Sequence, residues 1–361
     1  MIPFPSHPSF EPEETAPELS GGEVLEEADD DLFERYRFTV DKGQSLLRID
    51  KFLTTKVQNA TRNKVQAAAR AGNILVNGNP VKPNYRVKPL DEISVLMEGE
   101  PRDQTIHPEN IPLDIVYEDD HLLVVNKVAG MVVHPGHNNY TGTLVHALAW
   151  HLMEKPEADS GPLLVHRIDK DTSGILVVAK NETAQSALAR QFFEHSSERH
   201  YLALVWGDLA EGEGTIRGHI GRSLKDRKVM SVFPDGAHGK EAVTHWKVLE
   251  RFNYVTLVDC RLETGRTHQI RAHFRYLGHP LFNDARYGGN AVLRGTTFTR
   301  YRQFVENCFQ LIPRQALHAA TLAFDHPVSR ERMRFESPLP EDFRLALEKW
   351  RRYAERLTTD D

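Results

Sequence analysis

The chain has few of the features that mark secreted and membrane proteins. Its 361 residues include only two cysteines, Cys260 and Cys308, which excludes a disulfide framework and favours a reducing compartment. No run of about eighteen apolar residues occurs, and the first residues lack the basic and apolar regions of a signal peptide. We therefore expect a cytoplasmic protein with no membrane partner.

Several catalytic signatures are also missing. The sequence has no phosphate-binding P-loop, no dinucleotide-binding glycine motif and no Gly-x-Ser-x-Gly elbow. Residues 171–174 resemble the Asp-Thr-Gly of aspartic proteases, but that chemistry needs two carboxylates and the chain holds no second copy. His268 and His273 are five residues apart, which does not match a helical pair of metal ligands. We predict no metal site and interpret both histidines as hydrogen-bonding structural residues.

Lysine and arginine are absent from positions 1–34, which contain eleven acids and five prolines. Because the whole chain has a formal net charge of −6, the remaining residues carry +5, and a basic remainder is compatible with nucleic-acid binding. A composition of this kind cannot bury enough apolar surface to offset chain entropy, so we expect residues 1–34 to be a disordered acidic tail. The tail either competes with a nucleic acid for the basic surface or is simply solvated.

Residues 35–99 have the pattern of a small basic unit. Apolar residues at helical spacing predict helices over residues 46–57 and 62–70, and strands are expected at 74–76 and 91–95, with an Asn77-Gly78 turn after the first strand. A basic helical face is often only a solvated surface, but clustered cations also suit phosphate groups. The cations for which we predict RNA contact are Arg48, Lys51, Arg62 and Lys64.

A polar loop between two apolar runs is the stretch of the sequence that indicates most about function. Residues 163–168 and 175–179 are apolar and rich in β-branched side chains, which predicts two strands joined by a loop that contains Asp169. Side chains alternate along a strand, so Arg167 and Asp169 should share one face, with His166 on the other. Without further context this pattern is an ordinary polar turn with a surface ion pair.

Two stretches resemble elements of a known enzyme family. Residues 166–174, His-Arg-Ile-Asp-Lys-Asp-Thr-Ser-Gly, resemble the active-site signature of the pseudouridine synthases of the RluA/RluD family. Residues 264–271, Thr-Gly-Arg-Thr-His-Gln-Ile-Arg, match a second element of that family, and residues 48–87 resemble an S4 RNA-binding domain. Further family elements match residues 122–136, 199–205 and 313–327, the last of which we expect to form two strands.

The resemblance implies an α+β fold. Its catalytic domain would be built on a central mixed, largely antiparallel sheet, preceded by a small α/β S4 domain and the disordered acidic N-terminal tail. The expected domains are a tail at 1–34, an S4-like domain at 35–99, a linker at 100–111, a pseudouridine synthase catalytic domain at 112–340, and a C-terminal helix and tail at 341–361.

The resemblance also implies an isomerase that converts uridine in structured RNA to pseudouridine without a cofactor. It favours large-subunit ribosomal RNA over transfer RNA as the partner, and we expect the protein to be a monomer. Two other classes remain open. A non-catalytic RNA-binding or ribosome-assembly protein would keep the basic surfaces, and a nucleoside hydrolase would release free uracil.

Residue roles follow from the same resemblance. Asp169 would be the catalytic carboxylate, acting at the ribose or at the base, and Arg271 would pair with it and keep it ionised. Tyr201 would stack on the uracil, and Arg167 would fill the space left by the flipped nucleotide. Further RNA contacts are predicted for His166 and for Arg266, which is also a candidate partner of Asp169.

A second basic segment lies within the catalytic domain. We predict that it contacts the RNA backbone, with a solvated loop as the alternative. The segment comprises Arg217, Arg222, Lys225, Arg227 and Lys228, followed by the glycine-rich residues 236–240.

Overall fold

The computed structural model describes residues 32–57, 60–98, 106–136, 139–153, 161–223, 226 and 229–359. The chain divides into two compact units, with the division between residues 104 and 105. Residues 1–31 of the predicted acidic tail lie outside the described residues, as do positions 224–225 and 227–228, which include Lys225, Arg227 and Lys228. Among the described helices, none combines the length and apolar composition needed to cross a membrane.

Unit 1 contains an antiparallel sheet, two helices and a short two-stranded ribbon. The sheet has the strand order β1-β6-β3-β4, and β2 pairs with β5. Its elements are β1 (Leu32–Thr39), β2 (Leu47–Arg48), α1 (Ile49–Lys56), α2 (Arg62–Arg70), β3 (Ile74–Val76), β4 (Asn79–Pro80), β5 (Arg86–Val87) and β6 (Glu92–Glu98).

The first strand of unit 1 was not predicted from the sequence. β1 starts at Leu32, inside the segment assigned to the acidic tail, and pairs with β6 along its whole length. Tyr36 and Phe38 explain this extension, because both rings pack against the core of the unit and stack on each other with centroids 6.1 Å apart. The turn predicted at Asn77-Gly78 is confirmed, since both residues have the left-handed φ, 50° and 79°, that a two-residue hairpin requires.

A buried carboxylate joins the two helices of unit 1. Asp50 is fully buried, and it accepts hydrogen bonds from Arg48 (2.8 and 3.1 Å), Arg62 (3.0 Å) and Gln66 (2.7 Å). Burial by itself would raise the pKa of Asp50, but these donors outweigh it and lower the pKa well below the usual value. The carboxylate is therefore a charged link between α1 and α2.

Unit 2 is built on an eleven-stranded sheet. Nine strands follow the order β13-β12-β14-β15-β11-β16-β10-β8-β7, β17 pairs with β16, and β9 pairs with β10. Its elements are β7 (Ile115–Glu118), β8 (Leu122–Lys127), α3 (Leu144–Leu152), β9 (Leu163–Leu164), β10 (Ser173–Ala179), α4 (Glu182–Phe193), β11 (Glu198–Trp206), β12 (Glu213–Arg222), β13 (Met230–Phe233), β14 (Lys240–Arg251), β15 (Val255–Leu262), α5 (Gln269–Tyr276), α6 (Thr299–Leu311), β16 (Leu317–Asp325), β17 (Arg332–Glu336) and α7 (Glu341–Thr359).

The sheet of unit 2 is mixed and largely antiparallel, which confirms the predicted fold class. Strands β10 and β16 run parallel, and the other described pairs are antiparallel. All seven residues of β10 are buried, so this strand lies in the middle of the core. Gly174, its second residue, has a left-handed conformation (φ 116°), and a Cβ there would lie 2.1 Å from the carbonyl oxygen of Ala319. The signature's glycine therefore permits the close approach of β10 and β16.

Two predicted strand boundaries are wrong. The strand expected at 163–168 is reduced to β9, because the backbone N–H of Val177 donates to the imidazole Nε2 of His166 (3.0 Å) and not to a strand carbonyl. Residues 165–172 therefore leave the sheet as an irregular loop. The two strands expected within 313–327 are one continuous strand, β16, whose hairpin partner is β17.

Removal of the buried charge in unit 1 should destabilise that unit. In Asp50→Asn the amide turns a donor towards Arg48, Arg62 or Gln66, and we expect the free energy of unfolding at pH 7 to fall by about 1–3 kcal/mol. The pKa of Asp50 is lowered in the folded state, so its contribution is complete above the unfolded pKa of about 4 and is lost as the pH falls below that value.

The measurement is urea denaturation of the full chain at pH 7 and pH 3, with hydrogen exchange of α1 and α2 peptides to assign the change to unit 1. Asp41→Asn is the control, because Asp41 is an exposed acid of the same unit. The difference between wild type and Asp50→Asn should shrink at pH 3. An equal difference at both pH values would show that the carboxylate charge is not its origin.

Candidate active site

Asp169, the carboxylate of the predicted site, lies within the irregular loop 165–172 that follows β9. The N–H of Thr172 donates to the backbone carbonyl of Asp169 (3.1 Å), which closes a tight turn before β10. The Asp169 side chain is 20 % exposed, and its Oδ2 accepts a hydrogen bond from Nη1 of Arg271 at 3.0 Å. Among the described residues none donates to Oδ1, so one carboxylate oxygen is anchored, and Asp169 lines the adjacent cavity.

Arg271 bridges two carboxylates from its position on α5. Its Nε and Nη2 donate to the two oxygens of the fully buried Asp284 at 2.7 and 2.9 Å, while Nη1 reaches Asp169. The guanidinium carbon also lies 4.9 Å from the ring centroid of Tyr287. Burial alone would lower the pKa of Arg271, but the hydrogen bonds and charges of Asp284 and Asp169 raise it above the usual value. Arg271 is therefore a fixed positive charge.

The two arginines predicted as partners of Asp169 behave differently. Arg271 makes the contact, whereas Nε of Arg266 donates to the backbone carbonyl of Glu241 at 2.9 Å. Asp284 was not predicted as a site residue from the sequence. Its partnership with Arg271 depends on the path of the chain after α5, and no local spacing pattern indicates it.

A cavity of about 520 Å³ opens beside Asp169. Tyr201 of β11 is 8 % exposed and lines this cavity together with Asp169, and burial raises the pKa of its hydroxyl. Further apolar lining comes from aliphatic residues such as Ile168 and Leu317, and from Phe192 and Phe193. The cavity thus combines one carboxylate with aromatic and aliphatic walls, an arrangement that suits a flat, partly polar ring such as a nucleobase.

Cations surround the same cavity. Arg167 and Arg266 line it, as predicted for RNA contacts, and so does Lys240 from the glycine-rich segment. Arg199 is a cation that the sequence did not indicate as a site residue. It is 6 % exposed, and Nη2 donates to the carbonyl of Glu263 at 3.0 Å. Its buried Nε has no hydrogen-bond partner among the described residues, so this guanidinium retains donor capacity within the cavity wall.

Two histidines, one of them the predicted RNA contact His166, have structural contacts. His166 stacks on Phe192 with centroids 4.5 Å apart, and burial, with a smaller effect of the Arg199 charge, lowers its pKa to about 3. A second histidine, His268, shares a hydrogen bond with the hydroxyl of Tyr287 (2.9 Å). Burial lowers the pKa of His268 to about 4. Both imidazoles are therefore neutral at pH 7 and act as hydrogen-bonding groups of the framework.

Two buried cations donate hydrogen bonds to the backbone of the loop. Nζ of Lys127 donates to three backbone carbonyls, those of Val128 (2.8 Å), Met131 (2.9 Å) and Lys170 (3.0 Å), and burial lowers its pKa to about 7. Nη1 of Arg314 donates to the carbonyl of Asp171 at 3.0 Å. The backbone that follows Asp169 is thus fixed at two consecutive residues.

The cations predicted for RNA binding in unit 1 fall into two groups. Arg48 and Arg62 use part of their guanidinium groups on Asp50, although both keep exposed surface, while Lys51 and Lys64 are exposed. A surface depression of unit 1 is lined by Arg48, Arg70, Lys82 and neighbouring residues.

In unit 2, Arg217 of the second basic segment pairs with Glu241 at 3.4 Å.

Comparisons with known proteins agree with this geometry. The family model described as RNA pseudouridylate synthase matches residues 121–276, and the S4 domain model matches residues 47–93. An uncharacterized RNA pseudouridine synthase of Chlorobaculum parvum is 50% identical over 86% of this chain and 96% of its own length. Ribosomal large subunit pseudouridine synthase D of Zymomonas mobilis is 40% identical over 82% of this chain and 92% of its own length.

A solved structure supports the fold of unit 2. Human RNA Pseudouridylate Synthase Domain Containing 4 superposes with a TM-score of 0.51 at 21% sequence identity, over 66% of this chain and 92% of the human chain. At this identity the likeness concerns the fold alone.

Removal of the buried partner of Arg271 should be costly. Asp284→Asn keeps the side-chain volume but leaves the guanidinium with one carboxylate, so we expect the free energy of unfolding to fall by about 3–5 kcal/mol. Urea denaturation of both proteins measures the change. Asp325→Asn is the matched control, because it removes a half-exposed pair with Arg332 at 3.3 Å and should cost at most about 1 kcal/mol. Equal losses in the two variants would contradict a special role for the buried pair.

Proposed function

Because the chain belongs to the RNA pseudouridylate synthase family, whose members are isomerases that act on RNA, we propose that it isomerises uridines of large-subunit ribosomal RNA with Asp169 as the catalytic carboxylate. The observation that carries this proposal is the position of Asp169. Its carboxylate is anchored by a buried guanidinium, and Asp169 lines a cavity that Tyr201 also lines.

The reaction needs only groups that the chain supplies. The C1′–N1 glycosidic bond of uridine breaks, the uracil turns in place, and a C5–C1′ bond forms. N1 gains a proton while C5 loses one, so atoms and electrons balance without an oxidant, a reductant or a bound cofactor. A carboxylate that acts at C1′ or as a base must be ionised, and Arg271 donates a hydrogen bond to the Asp169 carboxylate at 3.0 Å.

The walls of the cavity support binding of an extruded base. A uridine inside a structured RNA reaches a recessed carboxylate only after it leaves its stack, and the cost of unstacking is offset by new contacts. Tyr201 supplies an aromatic face for the uracil, and stacking of this kind is worth about 1–3 kcal/mol per base. Arg167, exposed at the cavity edge, is the residue we assign to the space that the flipped nucleotide vacates.

The choice of RNA rests on two observations. The chain carries an S4 domain, and its relative in Zymomonas mobilis is named a ribosomal large subunit pseudouridine synthase.

Cys260 and Cys308 are buried free thiols, which supports our proposal of a reducing, cytoplasmic location. We also propose that the protein acts as a monomer.

Tritium release tests the isomerase. Large-subunit RNA without modifications, labelled with tritium at uridine C5, should lose label to water when the wild-type protein is added, because C5 exchanges its hydrogen for C1′. Asp169→Asn should lower the rate by at least about 1,000-fold while leaving RNA binding in place. Asp171→Asn, a change of the neighbouring acid in the same loop, should retain release within about tenfold of the wild type.

Each alternative has its own signature in that experiment. Free uracil on a chromatogram would indicate a nucleoside hydrolase, and tight binding without release would indicate a non-catalytic RNA-binding protein. Release from transfer RNA alone would overturn the proposed substrate. Release by Asp169→Asn at the wild-type rate would show that another residue performs the chemistry.

The hydrogen bonds of Lys127 should also affect the rate of tritium release. Lys127→Met removes the hydrogen bond to the carbonyl of Lys170, next to Asp169, and two bonds within the segment 128–131. Asp169 is then less precisely placed, and we expect tritium release to slow by about 10–100-fold with unchanged RNA affinity. Lys180→Met is the matched control. Lys180 is also buried and bonds a backbone carbonyl, that of Asp119 at 2.6 Å, but it does not contact the loop. At a temperature where both variants are folded, equal slowing in the two would contradict the positioning role.

A further inference from the structure

A large aromatic side chain is exposed at the edge of the cavity. Phe193 is 83 % exposed, the highest value among the large apolar side chains of the described residues. It is the last residue of α4, and it lines the cavity that contains Asp169. The adjacent Phe192 is partly buried and stacks on His166. Two consecutive phenylalanines thus have different environments, one against the loop and one in solvent.

Folding does not account for the exposed ring. The buried positions of α4 are Ala184, Leu188 and Gln191, which follow helical spacing, and Phe193 is off this stripe. A single exposed apolar residue is common on protein surfaces and would carry no weight by itself. The location of Phe193 is what distinguishes it, because the cavity it borders is the candidate active site.

The charge around Phe193 indicates the class of ligand. The cavity is also lined by Arg167, Arg199, Lys240 and Arg266, whereas Asp169 is its one carboxylate among the described residues. Aromatic side chains interleaved with cations are the usual surface for an unpaired nucleic-acid strand, since bases stack on the rings and phosphates meet the cations. A protein partner would not need this positive surround.

We propose that Phe193 stacks on a nucleobase adjacent to the target uridine in the RNA strand. This inference rests on the proposed function and adds a specific feature of the substrate, an unpaired nucleotide next to the uridine that enters the cavity. Tyr201 would hold the uracil inside, and Phe193 would hold its neighbour at the cavity edge. Because any base has a flat face, the contact selects for an unpaired neighbour and not for a particular base.

Equilibrium binding in an Asp169→Asn background tests the inference without turnover. Phe193→Ala should weaken binding of the large-subunit RNA by about 5–150-fold, the equivalent of about 1–3 kcal/mol of stacking, while Phe193→Trp should bind at least as tightly as the parent. Phe298→Ala is the matched control, because Phe298 is 73 % exposed in the same unit but does not line the cavity. Its affinity should not change.

Two further measurements separate stacking from other effects. The slope of log Kd against log salt concentration should be the same for Phe193→Ala and its parent, since no cation is removed. Once the target uridine is mapped by tritium release, an abasic nucleotide is placed on each side in turn. At one of the two positions the abasic nucleotide should weaken RNA binding by the parent and leave RNA binding by Phe193→Ala unchanged.

The outcomes distinguish this inference from the proposed function. If wild-type protein releases tritium but Phe193→Ala binds RNA as tightly as Phe298→Ala, the stacking contact is overturned and the isomerase stands. If the abasic substitutions affect parent and variant equally at both positions, Phe193 does not hold a neighbouring base. If wild-type protein releases no tritium from any RNA, the proposed function fails, and with it the assignment of Phe193 to a target's neighbour.

Discussion

A buried guanidinium shared by two carboxylates is the interaction on which the candidate site depends. Arg271 is almost fully buried, and a charge in that position is tolerated only because Asp284 binds it through two hydrogen bonds. The third donor of Arg271 reaches Asp169, which belongs to a loop far away in sequence. One pairing thus keeps the arginine charged, joins α5 to the loop and fixes one oxygen of the carboxylate at the cavity.

The loop that carries Asp169 is polar in sequence yet firmly held. His166 replaces a strand carbonyl in accepting the N–H of Val177, Lys127 binds the carbonyl of Lys170, and Arg314 binds that of Asp171. Arg314 is itself held by Asp342 near the start of α7 at 2.7 and 3.0 Å. Polar side chains therefore act here as internal supports, which gives an irregular segment the positional precision that catalysis requires.

Cations have two distinct functions in this chain. Some are partners of buried acids, as Arg48 and Arg62 are for Asp50, and their removal would disturb folding. Others, such as Arg167 and Lys240, line the open cavity and remain available to phosphate groups. A simple count of basic residues would treat the two groups alike, although only the second is fully available to a ligand.

The sequence by itself determined the elements whose pattern is local. Helical spacing located α2, the Asn77-Gly78 pair located a hairpin, and the stretch 166–174 located the carboxylate loop. Tertiary structure alone decided that β9 is only two residues long, that residues 313–327 contribute one strand, and that Asp284, Lys127, Arg199 and Phe193 belong to the site or its support. Local patterns report the geometry of a helix or a strand, because that geometry repeats over a few residues. Burial of Asp284 against Arg271, or exposure of Phe193 beside a buried Phe192, depends on which distant segments the fold brings together.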